Sequence, residues 1–451
     1  MSETALRATP DRSRTTPTAG EVPAGLAPAR APGSRVRIVI VGAGFGGLVA
    51  AQALAKAPVQ VTVIDRRNYH LFQPLLYQVA TAGLSPADIA SPIRGILRHQ
   101  ANAEVIMARV TDVDRERREV LIDDGGRRIP YDYLIIAAGA RHAYFGHDEW
   151  EAVAPGLKKI DDATAIRHRI LVAFEKAETA TDPEERRRLL TFVIVGGGPT
   201  GVEMAGAIAE LAKKTLVKDF RTIDPASARV ILVEGGPRVL TAFPEGLSAK
   251  ARRSLEKLGV EVLTNTPVEL CDAAGVVSAG KRIEARTILW AAGVQAAPVA
   301  KWLEAEKDRA GRVKVEPNLS VAGNPDIFVI GDCATVLQAN GQPVPGVAPA
   351  AKQMGAYVAR VIADRIAGKP MRAPFRYRNY GNFATIGRHA AVADFGWIRL
   401  SGYLAWLLWG AAHIYFLIGF RNRLAVMLDW MWAYVTYQRG VRLITGAGSD
   451  S

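Results

Sequence analysis

Cysteine is nearly missing from this chain: Cys271 and Cys333 are its only two among 451 residues, and they lie 62 positions apart. Neither belongs to a C-x-x-C or C-x-x-x-x-C pair, which argues against a redox-active disulfide, a metal cluster and a disulfide framework, and in favour of a reducing compartment. No metal site is expected. Large apolar side chains are scarce in residues 1–34, which are dominated by Ala, Pro, Thr, Arg and Gly. Such a segment cannot offset its ordering entropy, so it reads as a disordered tail. It has no apolar h-region, which excludes a secretory signal, and Glu3, Asp11 and Glu21 argue against a targeting peptide. Long uncharged runs are short as well. Residues 403–420 contain no Asp, Glu, Lys or Arg, yet at about 1.5 Å per residue they reach only about 27 Å, just under the roughly 30 Å hydrocarbon core of a bilayer.

Acidic residues are in deficit, 44 against 57 basic, for a net charge of +13. The excess favours an anionic partner. Residues 371–451 hold nine Arg and three Asp, so the excess is densest at the C-terminal end. From charge alone that partner could be lipid or nucleic acid, and the C-terminal end is where membrane or partner binding should be sought; the resemblance given below turns the expectation to an anionic membrane lipid surface, with no nucleic-acid partner.

Glycine and β-branched residues are abundant, and their order is informative. Residues 35–41 form a short Val/Ile run, too short for a helix. Gly42, Gly44 and Gly47 then supply G-x-G-x-x-G, with Phe45 between them, and a helix is expected over residues 46–56. The first glycine permits a tight turn, the second lets backbone N–H groups approach a pyrophosphate, and the third lets helix and strand pack closely. A second strand, residues 59–64, ends in Asp65 and then Arg66; the acid is an acceptor for an adenosine ribose hydroxyl. The stretch that follows, residues 66–80, mixes aromatic and amide side chains and could lie beside a cofactor ring or simply form an aromatic core. His70 alone reads as a structural histidine. Residues 104–122 alternate and turn at 123–126, a hairpin pattern. Residues 131–140 read as a buried strand ending in small residues at Gly139, and residues 161–190 as one long helical stretch.

The pattern then repeats. Residues 191–195 are an apolar strand; Gly196, Gly198 and Gly201 make a second G-x-G-x-x-G that includes Pro199, followed by a helix over 200–212 with Glu203 early on it. The next strand ends in Glu234, which favours the bare ribose of NADH and would repel the 2′-phosphate of NADPH; Arg238 nearby works against that preference. Residues 287–294 repeat the strand-to-small-residue ending at Gly293. Residues 324–332 form a strand ending in Gly331 and Asp332, where Asp332 could accept from a ribityl hydroxyl of FAD if the second fold is inserted in the first.

These two fingerprints, two Ala-Gly strand ends and a late Gly-Asp resemble the two-dinucleotide-domain flavoproteins. Residues 68–80, residues 346–355 and the C-terminal tail narrow the resemblance to type II NADH:quinone oxidoreductases, the single-subunit NADH dehydrogenases of respiratory membranes. The related sulfide:quinone and disulfide reductases need active cysteines, which this spacing does not provide. The resemblance implies FAD on the first fold, NADH on the second, a quinone pocket near the flavin, and a homodimer. It places the protein peripherally, as a monotopic protein, on the cytoplasmic face of the inner membrane. The family segment A-Q-x-x-x-Q near the quinone corresponds to residues 348–353, with Gln353 retained and Pro349 in place of the first Gln. It also implies a Glu on the helix before the second fold linked to a Lys of this segment, here Glu175 and Lys352, with Glu178 as the other acid.

The expected architecture is therefore α/β, with two Rossmann-like dinucleotide-binding domains, the second inserted in the first, plus a C-terminal amphipathic helical membrane-binding region. Residues 35–160 and 311–390 would bind FAD, residues 161–310 would bind NADH, and residues 391–451 would meet the membrane. Five of the eight Trp lie between Trp397 and Trp432, beside Arg399, Arg421 and Arg423. That suits helices lying in the interface, with a span or a buried dimer contact as the other arrangements. A soluble NAD(P)H-dependent reductase of a protein electron carrier is the alternative activity. No acid or lysine lies within a multi-helix membrane domain, so no route for proton pumping is visible.

Overall fold

The computed structural model describes residues 34–338 and 340–445, and the expected disordered tail falls outside them save for its last residue. The first unit opens with β1 (Val36–Val41), α1 (Phe45–Ala53) and β2 (Val59–Asp65). A short helix, α2 (Leu76–Ala80), follows in the aromatic segment, and then come β3 (Ala103–Met107) and β4 (Tyr133–Ile136). β1 pairs in parallel with β2 (Val36 opposite Val59) and with β4 (Ile38 opposite Tyr133). Covered on both faces, β1 reads as a continuous apolar run rather than an alternating one.

The stretch expected as one helix over 161–190 is two: α3 (Ile160–Thr179) and α4 (Pro183–Leu189). Pro183 occupies the first turn of α4, and the Asp182 carboxylate accepts the N–H groups of Glu184 and Glu185, so a new helix starts there. The second unit contains β5 (Thr191–Val195), α5 (Pro199–Glu210), β6 (Arg229–Val233), β7 (Val260–Leu263) and β8 (Thr287–Trp290). Its sheet runs in the order β7-β6-β5-β8, all parallel. A wide helical turn, Leu211–Thr215, extends α5.

β9 (Asn324–Val329) returns to the first sheet and pairs in parallel with β4, Ile327 opposite Leu134. The first sheet therefore closes around an insertion. Two short strands, Ala140–His142 and Val294–Ala296, pair antiparallel and tie the two Ala-Gly strand ends together. α6 (Ala348–Ile366) lies against α1. A Cβ on Gly355 would sit 2.1 Å from the Gly46 carbonyl oxygen, so the two backbones pack directly.

The C-terminal unit begins with a sheet the sequence reading did not anticipate. β10 (Asn382–Ile386), β11 (Ala390–Asp394) and β12 (Arg399–Gly402) form an antiparallel meander, followed by α7 (Tyr403–Phe416) and α8 (Phe420–Thr436). Among the described residues no helix is long and apolar enough to cross a membrane. The charge-free run breaks at residues 417–419, where Leu417 is extended and Gly419 has φ +89°. Ala405 and Trp409 of α7, and Asn422 and Val426 of α8, face inward at i, i+4 spacing. The chain after α8 is anchored by Arg439. This side chain is 8% exposed, donates to the Thr81 and Ala207 carbonyls at 2.6 and 3.2 Å, and faces Glu210 at 3.6 Å.

Candidate functional site

The two glycine-rich turns have nearly the same geometry. Gly42 and Gly196 have φ of +95° and +109°. A Cβ on Gly47 would lie 1.8 Å from the Gly42 oxygen, and one on Gly201 would lie 1.8 Å from the Gly196 oxygen. Gly44 and Gly198 have nothing within 4 Å of a built Cβ. Open space at the middle glycine, at a helix N-terminus, is the approach that a pyrophosphate requires. Each acid at the second strand end is fixed by backbone N–H groups. Asp65 accepts from Ala43 at 2.7 Å and from Arg67 at 2.8 Å; Glu234 accepts from Gly197 at 2.5 Å and from Gly236 at 2.6 Å. The residues present thus fit one dinucleotide on each fold. Arg238 donates to the carbonyls of Leu240, Thr241 and Phe243, so its guanidinium is spent on its own turn and is not poised for a 2′-phosphate. Arg66 is exposed beyond β2, and Asp332 lies in the turn after β9, beside Gly346.

A cavity of about 120 Å³ opens between the two units. Gln73, Leu76 and Tyr77 line it from the first unit, Thr200 and Glu203 from α5, and Trp290 and Gly293 from the end of β8. The aromatic and amide stretch 66–80 therefore contributes to a cleft wall as well as to the core. Gly139 and Gly293 both have positive φ, +71° and +75°, where the chain turns out of each strand. His142 and Lys158 also line the cavity and had no sequence signal beyond their proximity to those turns. Burial pulls the His142 imidazole down to about 4 and lifts the Glu203 carboxyl to about 8. At neutral pH the imidazole is the neutral form and Glu203 carries a proton into the cleft.

This has a consequence for stability. Between pH ~4.5 and ~8 the unfolded chain has released the Glu203 proton while the folded chain retains it, so stability falls as pH rises through that window. Glu203→Gln is expected to remove that fall, read as urea midpoints at about pH 5 and about pH 8. An undiminished fall in the variant would assign it to other groups.

A second cluster joins α1, α6 and the C-terminal unit. Phe45 meets His70 and Phe72 edge to face at 5.3 and 6.0 Å, Phe72 meets His413 at 6.0 Å, and His413 lies 4.4 Å from Trp409. Lys352 Nζ sits 5.3 Å from the Phe45 ring centre and 4.8 Å from that of Phe416. Desolvation lowers its ammonium pKa, and none of the ion pairs among the described residues includes it. Both histidines hold a backbone carbonyl through Nδ1, His70 that of Ala43 and His413 that of Trp409. Burial lowers both, His413 to about 4.

The structure gives three of the expected site residues the following surroundings. Glu175 is exposed and makes no ion pair with Lys352: Arg167, Ile170, Leu171, Phe174 and Ala177 form the inward stripe of α3, and residue 175 falls on the outer face. Glu178 accepts from the N–H groups of Arg221, Thr222 and Ile223, a loop anchor far from either cleft in role. Gln353 is also committed, donating to the Arg378 carbonyl and accepting its N–H, both at 2.9 Å. The acid that faces a cleft is Glu203, and the polar group between the rings is Lys352.

Two nested dinucleotide folds sharing a cleft define a pyridine-nucleotide-linked flavoprotein. Residues 36–355 match the family described as pyridine nucleotide-disulphide oxidoreductase, and residues 380–436 match the NDH2 C-terminal domain. The chain is 48% identical to the type II NADH:quinone oxidoreductase NdhA of Mycobacterium tuberculosis (92% of this chain, 90% of the relative). It is 46% identical to Ndh of the same organism (93% and 92%). The fold also resembles the NDH2 of Plasmodium falciparum solved in complex with NADH, at TM-score 0.80 and 23% identity, covering 92% of this chain and all of that one. The chain belongs to the type II NADH:quinone oxidoreductase family. Its two cysteines are free, buried and pushed up to about 11, so neither is poised for the disulfide chemistry in the broader family's name.

Proposed function

We propose that this chain oxidises NADH at the Glu203 cleft and delivers two electrons to a membrane quinone, with FAD held on the first fold and no charge moved across the membrane. The single observation that carries this reading is the position of the glycine-turn cradle of α1. Phe45 opens α1 at that turn and meets His70, Phe72 and Lys352, while the matching turn of the second fold opens, through Thr200 of α5, onto the Glu203 cavity. FAD, when bound, supplies the two-electron relay between nicotinamide and quinone. Gly42, Gly44, Gly47, Asp65 and Asp332 would hold it; Gly196, Gly198, Gly201 and Glu234 would hold NADH. Glu203 holds a proton at the nicotinamide side. Lys352, pressed between two rings without a carboxylate partner, offers a cation to a quinone oxygen as negative charge develops there.

The apolar outer face of α7 and α8, with Arg399 and Arg421 beside it, supports attachment to an anionic lipid surface; the family resemblance adds the cytoplasmic face of the inner membrane as the place. A homodimer joins this reading through the family resemblance. Stopped-flow absorbance tests the whole: NADH should bleach the flavin fast, NADPH about 100-fold more slowly through the Glu234 repulsion, and a quinone should restore the colour. Lys352→Met is expected to slow only the return phase, by about tenfold. Absence of reoxidation by any quinone would overturn the proposal.

A further inference from the structure

The second glycine turn has no cation of its own to set against a pyrophosphate, which carries two negative charges. The turn's N–H groups and the α5 N-terminus supply partial charges only. Arg238, the next basic residue after Glu234, is spent on the carbonyls of Leu240, Thr241 and Phe243. The cavity beside the turn holds a cation from elsewhere. Lys158 lines it together with Thr200, the second residue of α5, in a space of only about 120 Å³. Among the described residues on that wall it is the one lysine or arginine. It belongs to the connection that leads into α3 at Ile160. Both of its backbone groups are tied down: the N–H donates to Asp162 Oδ2 at 2.9 Å, and the carbonyl accepts from Gln73 Nε2 at 3.2 Å.

The side chain is left without a partner. Lys159, next to it, faces Asp162 Oδ1 at 3.4 Å through its Nζ, and its N–H donates to Oδ2 at 3.0 Å. Both oxygens of Asp162 are therefore committed. None of the ion pairs or side-chain hydrogen bonds among the described residues includes Lys158 Nζ, and the residue is half-buried. Desolvating an ammonium without a carboxylate is unfavourable, so a cation kept this way at a cavity wall calls for an anionic ligand.

We propose that Lys158 is a binding residue for the pyrophosphate of NADH: its ammonium, carried on the connection into α3, reaches the phosphate oxygens from outside the glycine turn. The inference rests on the assignment of NADH to the second fold and adds a residue to it. The pyrophosphate is then held by N–H groups of the turn and by a full charge that precedes β5 in the chain. Lysine suits this task, because its ammonium is a compact charge that needs no fork geometry. The ties to Asp162 and Gln73 limit how far that charge can wander. The pyrophosphate takes no part in hydride transfer and is the same in NADH and its oxidised product. Lys158 therefore contributes equally to ground state and transition state, which lowers KM and leaves kcat alone.

The experiment titrates the oxidised holoenzyme calorimetrically with ADP-ribose, which carries the pyrophosphate and no nicotinamide. NADH is measured beside it, from the concentration dependence of flavin bleaching in the stopped flow. Lys158→Met keeps the length and removes the charge, Lys158→Arg keeps the charge, and Lys159→Met removes the neighbouring charge as a control. Lys158→Met is expected to weaken ADP-ribose and NADH alike by about tenfold, with the limiting bleaching rate unchanged. Its affinities should also depend less on salt, since one phosphate contact is gone. Lys158→Arg should stay within about threefold of the parent, and Lys159→Met should match it. Weaker NADH with unaltered ADP-ribose would move Lys158 to the nicotinamide and overturn the proposal. So would an equal loss in Lys159→Met, which would trace the effect to the connection as a whole. A parent that binds neither compound would sink the NADH cleft itself, whereas a parent that binds both, matched by Lys158→Met, would overturn this inference alone. Neither readout uses a quinone, so a failure of quinone reduction would leave the test standing.

Discussion

Gly201→Ala is expected to leave FAD bound and to weaken NADH binding by about 100-fold or more, which corresponds to about 2.8 kcal/mol. The added methyl would start 1.8 Å from the Gly196 oxygen, a backbone atom that cannot rotate away. The first turn of α5 must therefore lift from the glycine turn, and its N–H groups lose their alignment with the pyrophosphate. The first fold is built on other residues, with β1, β4 and β9 in a separate sheet. Flavin absorbance of the purified variant reports the first fold; calorimetric titration with NADH reports the second. Unaltered NADH affinity would show that α5 tolerates the shift and that the turn is not where the pyrophosphate sits.

Replacing Trp397, Phe420, Trp432 and Val435 with Ser is expected to release the protein from anionic vesicles, lowering its partition by at least about 1,000-fold. These side chains are 85%, 83%, 61% and 78% exposed. Burying each in the lipid interface contributes about 1.5–3 kcal/mol, so four together exceed the ~4 kcal/mol that a thousandfold change requires. None of the four is buried in the core, so the fold should persist. Vesicle co-sedimentation measures the partition, and turnover with a short-chain soluble quinone checks that the Glu203 and Lys352 clefts survive. If the parent does not sediment with vesicles and the variant instead changes from dimer to monomer, the face joins two copies of the chain.

The inward and outward faces of α7 and α8 show where reading from sequence runs out. α7 has no charged residue, and α8 turns the polar Asn422 inward while apolar Leu428 and Trp432 stay outside, so periodicity alone does not say which side packs. The structure turns Ala405, Trp409, Asn422 and Val426 inward, with Asn422 donating to the Ala87 and Ala90 carbonyls, and leaves Leu404, Leu428 and Trp432 outside. The site acids give the opposite lesson. Glu175 and Glu178 sit on an amphipathic helix whose stripe could have excluded both from the core at the outset. Glu203 occupies the second turn of a helix that is almost wholly buried, and an acid there is the departure from pattern that marks a cleft.

From residue order alone came the local, short-range features. Strand, glycine turn, helix, strand and acid are fixed by steric rules that act over a few tens of residues, which is why both cradles could be read directly; the return strand ending in Gly331 and Asp332 suggested the insertion, and the family resemblance assigned FAD to one and NADH to the other. The scarcity of cysteine set aside disulfide chemistry on the same footing. Tertiary structure decided the rest, because it depends on which distant surfaces meet. Lys352 finds Phe45 and Phe416 in place of Glu175, and Gln353 is consumed by the Arg378 backbone. Glu203 acquires its proton from burial between two units, and Trp430 reaches Gln78 across 352 residues of chain. Spacing specifies a turn, whereas desolvation and hydrogen-bond polarity are set by neighbours that only the folded chain brings together.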